Sequence, residues 1–132
     1  MIARESRILT TGYNGAPAGM EHCDHACDCG SADGRGHLTR CKSLRPCHRA
    51  THAEANAIAY AARYGLSLDG ASLFSTHMPC YNCCTLIVNA GLLVVVWETD
   101  YRDQSGLKVL EEGKIAFGRY RQGRTLNDMM DT

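Results

Sequence analysis

Two short segments, Thr51-His52-Ala53-Glu54 and Pro79-Cys80-Tyr81-Asn82-Cys83, constrain this chain more than anything else in it. One imidazole and two thiols make three metal donors. A catalytic zinc takes three protein ligands and keeps its fourth position for water, whose pKa it lowers to roughly 7. Glu54 lies two residues past His52 and is placed to move protons without being needed as a ligand. The spacing suits helices. Cys80 and Cys83 are i and i+3, neighbours on one helical face, with Pro79 in a first turn where its missing N–H costs nothing. Ala53 to Ala62 is alanine-rich and ends near Gly65, which predicts a helix with His52 and Glu54 in its first turn. Two helix N-termini, which favour thiolates, then face one metal. A closed structural site or a redox CxxC pair is the bland alternative, and neither needs the carboxylate.

The chain has 132 residues, enough for a proper core, and 1–132 is read as a single domain. Lys+Arg and Asp+Glu are both 14, and a net charge of zero argues against a polynucleotide partner. There is no export signal and no apolar run of membrane-spanning length. Eight cysteines could serve a secreted disulfide scaffold. They cluster with histidines at short spacings, which favours reduced, metal-binding thiols and a cytoplasmic compartment.

Met1 to Ala3 is a short apolar start, Arg4-Glu5-Ser6 a turn, and Ile8 to Thr11 a strand. Gly12 to Gly19 reads as a loop with positive φ at one or more glycines. Asn14 could offer its amide to a ligand's sugar or base, or simply belong to an Asn-Gly turn. Gly70 to Thr76 is expected as a strand. The helix Cys80 to Ala90 should bury Leu86, Ile87 and Ala90, with Cys84 a small core residue and not a ligand. Leu92 to Trp97 is an apolar run, as in a central strand buried on both faces. Gln104 to Glu112 is a helix with Leu107 and Leu110 inward, and Ile115 to Phe117 a last strand. Strand, helix, strand at this spacing makes the last two strands parallel. Thr99 to Asp103 then falls beyond a strand's carboxyl end, where ligands bind in open α/β sheets. Tyr101 is a candidate pocket wall. Arg102 is a candidate for an anionic group, or for a surface ion pair in a solvated loop. The polar tail from Arg121 to Thr132 is expected to fray or to fold on a neighbour.

The H-x-E…P-C-x-x-C pattern is a signature of zinc deaminases. More specifically, Thr11-Gly12-Tyr13-Asn14-Gly15-Ala16-Pro17-Ala18-Gly19, Cys23, His52-Ala53-Glu54-Ala55-Asn56-Ala57-Ile58, Thr76-His77-Met78-Pro79-Cys80-Tyr81-Asn82-Cys83 and Asp100-Tyr101-Arg102-Asp103 resemble the deoxycytidylate (dCMP) deaminase family, in particular its phage-type members. The likeness runs over roughly residues 1–117. The zinc motif alone indicates the wider cytidine-deaminase-like superfamily; the Gly-Tyr-Asn-Gly loop and the Asp-Tyr-Arg-Asp segment point to the dCMP branch. The fold expected is three-layer α/β/α with a mixed five-stranded sheet. The reaction implied is zinc-dependent hydrolytic deamination of dCMP to dUMP with release of ammonia. His52, Cys80 and Cys83 would hold the catalytic Zn2+ and Glu54 would be the catalytic proton carrier. Asn14, Ala53, Tyr101 and Arg102 would contact the nucleotide. Localisation would be cytoplasmic, in the host cell if the chain is phage-encoded.

Family members usually carry an N-terminal helix, whereas this chain begins inside the first strand. Either that helix is dispensable here or a neighbouring subunit covers the exposed sheet, and a homo-oligomer such as a dimer or hexamer is expected. Many relatives are activated by dCTP and inhibited by dTTP. Tyr60 and Arg63, i and i+3 on the helix after His52, are candidate contacts for such a triphosphate with Mg2+, or for a subunit interface. Other readings stay open: another cytosine substrate (dCTP, a 5-substituted dCMP, cytidine), a base in RNA, or a noncatalytic zinc-binding interaction module.

Residues 22–48 look irregular and are rich in donors: His22, Cys23, His25, Cys27, Cys29, His37, Cys41, Cys47 and His48. A loop this long needs something to pin it, and a closed Cys/His zinc site would do so. Some dCMP deaminases carry a second zinc near this insert. Cys23, Cys29, Cys41 and Cys47 are the expected ligands of a second, structural Zn2+, with Cys27, His22 and His48 in reserve. A disulfide or ordinary buried thiols is the alternative.

Overall fold

Valines and aromatics favour strands because branched and flat side chains pack on a pleated surface; alanine favours helix because it loses no side-chain freedom there. The chain sorts accordingly. A computed structural model describes residues 1–21 and 50–121. In order these form β1 (Ile2–Arg4), β2 (Arg7–Thr10), α1 (Ala53–Arg63), β3 (Ser72–His77), α2 (Tyr81–Asn89), β4 (Val94–Thr99), α3 (Gly106–Glu112) and β5 (Ala116–Arg119). The strands make one sheet in the order β2-β1-β3-β4-β5. Strands β3, β4 and β5 run parallel, and β1 is antiparallel to both its neighbours. The mixed five-stranded α/β sheet expected from the sequence is present, with its last two strands parallel.

One face of the sheet carries the core. Ile2, Leu73, Val95 and Trp97 pack there with Ala57 and Ala61 of α1, Ile87 of α2 and Leu110 of α3. The helices touch in series, α1 on α2 and α2 on α3. Ile87 and Leu110 are fully buried, so cutting either to alanine should cost about 2–5 kcal/mol. The second helical layer of the three-layer reading has no counterpart among the described residues. Nor does any described helix have the length and apolarity to cross a membrane.

Several local expectations need correction. Met1 to Ala3 is no mere lead-in, because Ile2–Arg4 is a full member of the sheet, paired with both β2 and β3. The hairpin joining β1 to β2 turns through Glu5 and Ser6, both at positive φ (50° and 60°). Two-residue hairpins favour that geometry because its twist matches the strands, but glycine or asparagine usually supplies it. Leu86 is exposed; the buried stripe of α2 is Cys83, Cys84 and Ile87. Cys84 is indeed a small core residue. Helix α3 starts at Gly106 and not at Gln104, because the Asp103 carboxylate accepts the Ser105 N–H at 2.9 Å and forms a turn there. That hydrogen bond also holds the Asp103 carboxyl below its ordinary range. Residues 122–132 of the polar tail lie outside the described residues.

Candidate metal centre

The site is built where helices begin. His52 is the N-cap of α1 and Cys80 the N-cap of α2, both with extended backbone (φ −65°, ψ 151° and φ −69°, ψ 168°). The His52 carbonyl accepts the Asn56 N–H, and the Cys80 carbonyl accepts the Cys84 N–H, each at 2.9 Å. Cys80 therefore does not share a helical face with Cys83, and Pro79 precedes the cap and lies outside the first turn. Cys83, in the first turn of α2, is buried. The three side chains still converge. His52 Nδ1 is 3.3 Å from Cys80 Sγ and 3.6 Å from Cys83 Sγ, and all three donor atoms lie within 4.8 Å of one another. Tetrahedral zinc, with Zn–S of about 2.3 Å and Zn–N of about 2.0–2.1 Å, needs ligand atoms roughly 3.5–3.8 Å apart. The donor set fits.

Charge and burial agree with that fit. Burial first, then the negative charge of Glu54, then Cys80, push the Cys83 thiol far above its ordinary range. Burial pushes Cys84 up to about 11. A buried thiol of this kind ionises beside a cation and stays protonated without one. Glu54 is 9% exposed, in the first turn of α1, and its Oε1 accepts the Ser75 hydroxyl at 2.8 Å.

His52, Glu54 and Cys80 open onto a cleft of about 540 Å³, lined also by Asn14, Ala53, Ser75, His77 and Tyr101. The loop after β2 is fastened to the start of α1. Gly15 and Thr51 exchange two backbone hydrogen bonds (3.1 and 2.8 Å), and the Asn56 amide donates to Tyr13 O at 2.9 Å. Asn14 Oδ1 accepts the Ala53 N–H at 2.8 Å, satisfying one orphan donor of the helix. Asn14 and Ala53 thus face the cleft already bonded to each other. Gly12 packs so closely that a Cβ there would lie 2.1 Å from Ala53 O. Gly19 has the positive φ expected in this loop (85°).

At the far wall, Asp100 ties down the end of β4. It accepts the Trp97 indole N–H at 2.7 Å and pairs with Arg119 at 3.4 Å. Tyr101 follows directly and lines the cleft. Arg102 is exposed, lies 5.9 Å from the Tyr101 ring, and does not line the cleft. On α1, Tyr60 packs against Tyr64 with ring centroids 4.5 Å apart, and the Arg63 guanidinium sits 5.8 Å over Tyr64. The aromatic partner of Arg63 is therefore Tyr64 and not Tyr60, and neither Tyr60 nor Arg63 lines the cleft. Cys23, Cys29, Cys41 and Cys47, with Cys27, His22 and His48, lie outside the described residues. Sequence reasoning missed Ser75 and His77. For Ser75 a signal existed: it is polar on the same face of β3 as Leu73.

Residues 1–99 match the family model described as the cytidine and deoxycytidylate deaminase zinc-binding region. The chain belongs to this family. It is a member of this zinc-binding deaminase family, as the sequence motifs imply. It is 38% identical over 101 residues to ComE operon protein 2 of Bacillus subtilis (strain 168), covering 76% of this chain and 47% of that protein. It is 35% identical over 127 residues to the deoxycytidylate deaminase of Enterobacteria phage T4, covering 76% and 66% respectively. The chain thus spans 47% and 66% of the length of these two relatives. Among solved structures, the dCMP deaminase of cyanophage S-TIM5 in complex with dCMP and dUMP superposes with a TM-score of 0.69. That match has 29% identity and covers 90% of this chain and 77% of that one. The deaminase family accounts for the donor triad, the neighbouring carboxylate and the cleft that joins them.

Proposed function

We propose that this chain hydrolyses dCMP to dUMP and ammonia, with Glu54 as its proton carrier. The observation that carries the reading is the convergence of His52 Nδ1, Cys80 Sγ and Cys83 Sγ within 4.8 Å, in one cleft with the Glu54 carboxylate. A zinc ion held by those three atoms supplies the Lewis acidity that makes water nucleophilic near neutral pH. The rest falls to the protein. A Glu54 oxygen takes a proton from the attacking water and gives one to ring N3. It then takes the water's remaining proton from the new C4 hydroxyl and gives it to the amine as the C4–N4 bond breaks, so that C4=O replaces C4–NH2 and ammonia leaves. Burial of Glu54, in a cleft lined also by Tyr101 and the loop fastened at Asn14, limits bulk water around that carboxylate. The cleft has the size usual for small-molecule sites, about 300–1,000 Å³. The T4 relative's name and the S-TIM5 complex support dCMP as the substrate.

The test is ammonia release by zinc-loaded protein from dCMP, dCTP, 5-methyl-dCMP, cytidine and adenosine monophosphate. dCMP should give the highest kcat/KM. Faster turnover of another cytosine compound would move the substrate assignment, and no release from any of them would leave a zinc-binding module without this activity.

A further inference from the structure

Strand β3 sends Leu73 and Ser75 to the face that packs under the helices, beside Val95 and Trp97 of β4. A serine in such a row is costly unless its hydroxyl finds a partner. The partner here is Glu54 Oε1, at 2.8 Å. Among the described residues no other hydroxyl or N–H donates to that carboxylate. The last torsion of a glutamate is broad, because rotation about an sp³–sp² bond has no sharp staggered wells. One short hydrogen bond from a sheet strand fixes the carboxylate plane, and so fixes where the second oxygen points.

We propose that Ser75 is a positioning residue: its hydroxyl sets the orientation in which Glu54 carries protons. The proposal rests on Glu54 being the proton carrier. It predicts a loss in the chemical step and not in substrate binding, because Ser75 acts on Glu54 and not on the nucleotide. A hydrogen bond to a charged group has a strength that corresponds to roughly 10- to 100-fold in rate when it is lost.

The experiment compares Ser75→Ala, Ser75→Thr and Ser75→Val in zinc-loaded protein. Threonine and valine have nearly the same shape, but only threonine keeps the hydroxyl. Alanine and valine should each lower kcat by about 10-fold or more, with KM within about threefold and zinc content unchanged, and threonine should regain most of the rate. An activity-independent arm measures urea unfolding of metal-free protein for Ser75→Ala, Glu54→Met and the double variant. If the bond exists in solution, the two changes are non-additive by about 5-fold or more in the folding equilibrium constant. The proposal is overturned if alanine and valine stay within about twofold of the parent kcat. It is equally overturned if threonine is as slow as valine, if the loss follows lost zinc, or if the unfolding effects simply add. Should the parent release no ammonia at all, the functional reading falls, and the unfolding cycle alone decides whether Ser75 holds Glu54.

Discussion

His52 and Cys80 hold the same place in two different helices. Each caps its helix through a carbonyl that accepts the first intrahelical hydrogen bond, from Asn56 and Cys84 respectively, and their side chains meet with Nδ1 3.3 Å from Sγ. A ligand at a cap has its backbone set by the helix start while its side chain stays free to turn toward a metal. A shared ion would therefore clamp α1 to α2 at their N-terminal ends, where both helix dipoles are positive and thiolate charge is welcome.

Removing the metal should accordingly loosen the fold as well as stop the reaction. Stripping zinc with a chelator should lower Tm by at least about 4 °C, the shift that roughly 1 kcal/mol produces in a domain of this size. Readdition of zinc should restore both Tm and activity. Differential scanning calorimetry with and without chelator checks this; an unchanged Tm would mean the three donors do not bear on stability.

Glu54→Gln keeps the shape of the side chain and its acceptor oxygen for Ser75, but cannot take up a proton. Zinc content and Tm should stay near parental values while kcat falls by about 10²–10⁴-fold. Steady-state kinetics beside metal analysis would decide it. Retention of more than about a tenth of the parental rate would assign the proton work elsewhere.

Gly12→Ala places a methyl group 2.1 Å from Ala53 O and 2.8 Å from Ala57 N, both backbone atoms that cannot swing aside. The loop must back away from α1, which pulls Asn14 from the Ala53 N–H. We expect a loss of about 1–3 kcal/mol, typical of overpacking, together with weaker substrate binding. Chemical denaturation and KM measured on the same preparation test both halves; a wild-type stability would show that the loop is not fastened as described.

The turn between β1 and β2 should be improvable. Glu5 and Ser6 both sit at positive φ, a strained choice for side chains of their kind. Replacing them with Asn-Gly should stabilise the protein by about 0.5–2 kcal/mol. No loss of activity is expected, because neither residue lines the cleft. Thermal melts of the two proteins would settle the sign.

That same turn explains why the sequence hid a strand. Arg4-Glu5-Ser6 is legible as a turn, but with no glycine, asparagine or proline it does not show a two-residue hairpin, and Ile2–Arg4 is too short to show alternation. Long apolar or alanine-rich stretches were legible: α1, β3 and β4 lie where their patterns place them, within about two residues at each end. The triad was legible because metal chemistry demands particular side chains at particular spacings. Capping was not. The i, i+3 spacing of Cys80 and Cys83 fits a helical face and a cap-plus-first-turn arrangement equally well, and only the backbone angles distinguish them. Leu86 misled because one helical step separates it from Ile87, and the stripe's phase depends on where the helix starts. Ser75 shows as a polar residue on an apolar strand face, but its partner does not, because Glu54 lies on another element and far off in sequence.

The paired hydrogen bonds between Gly15 and Thr51 have a consequence for how this gene can change. They close the chain into a ring whose base is pinned immediately before His52. Thr51, and with it His52, is therefore held to the loop after β2 by main-chain bonds alone. No substitution other than proline can remove those two bonds, so the residue that can least afford to move is anchored by atoms that side-chain changes do not touch.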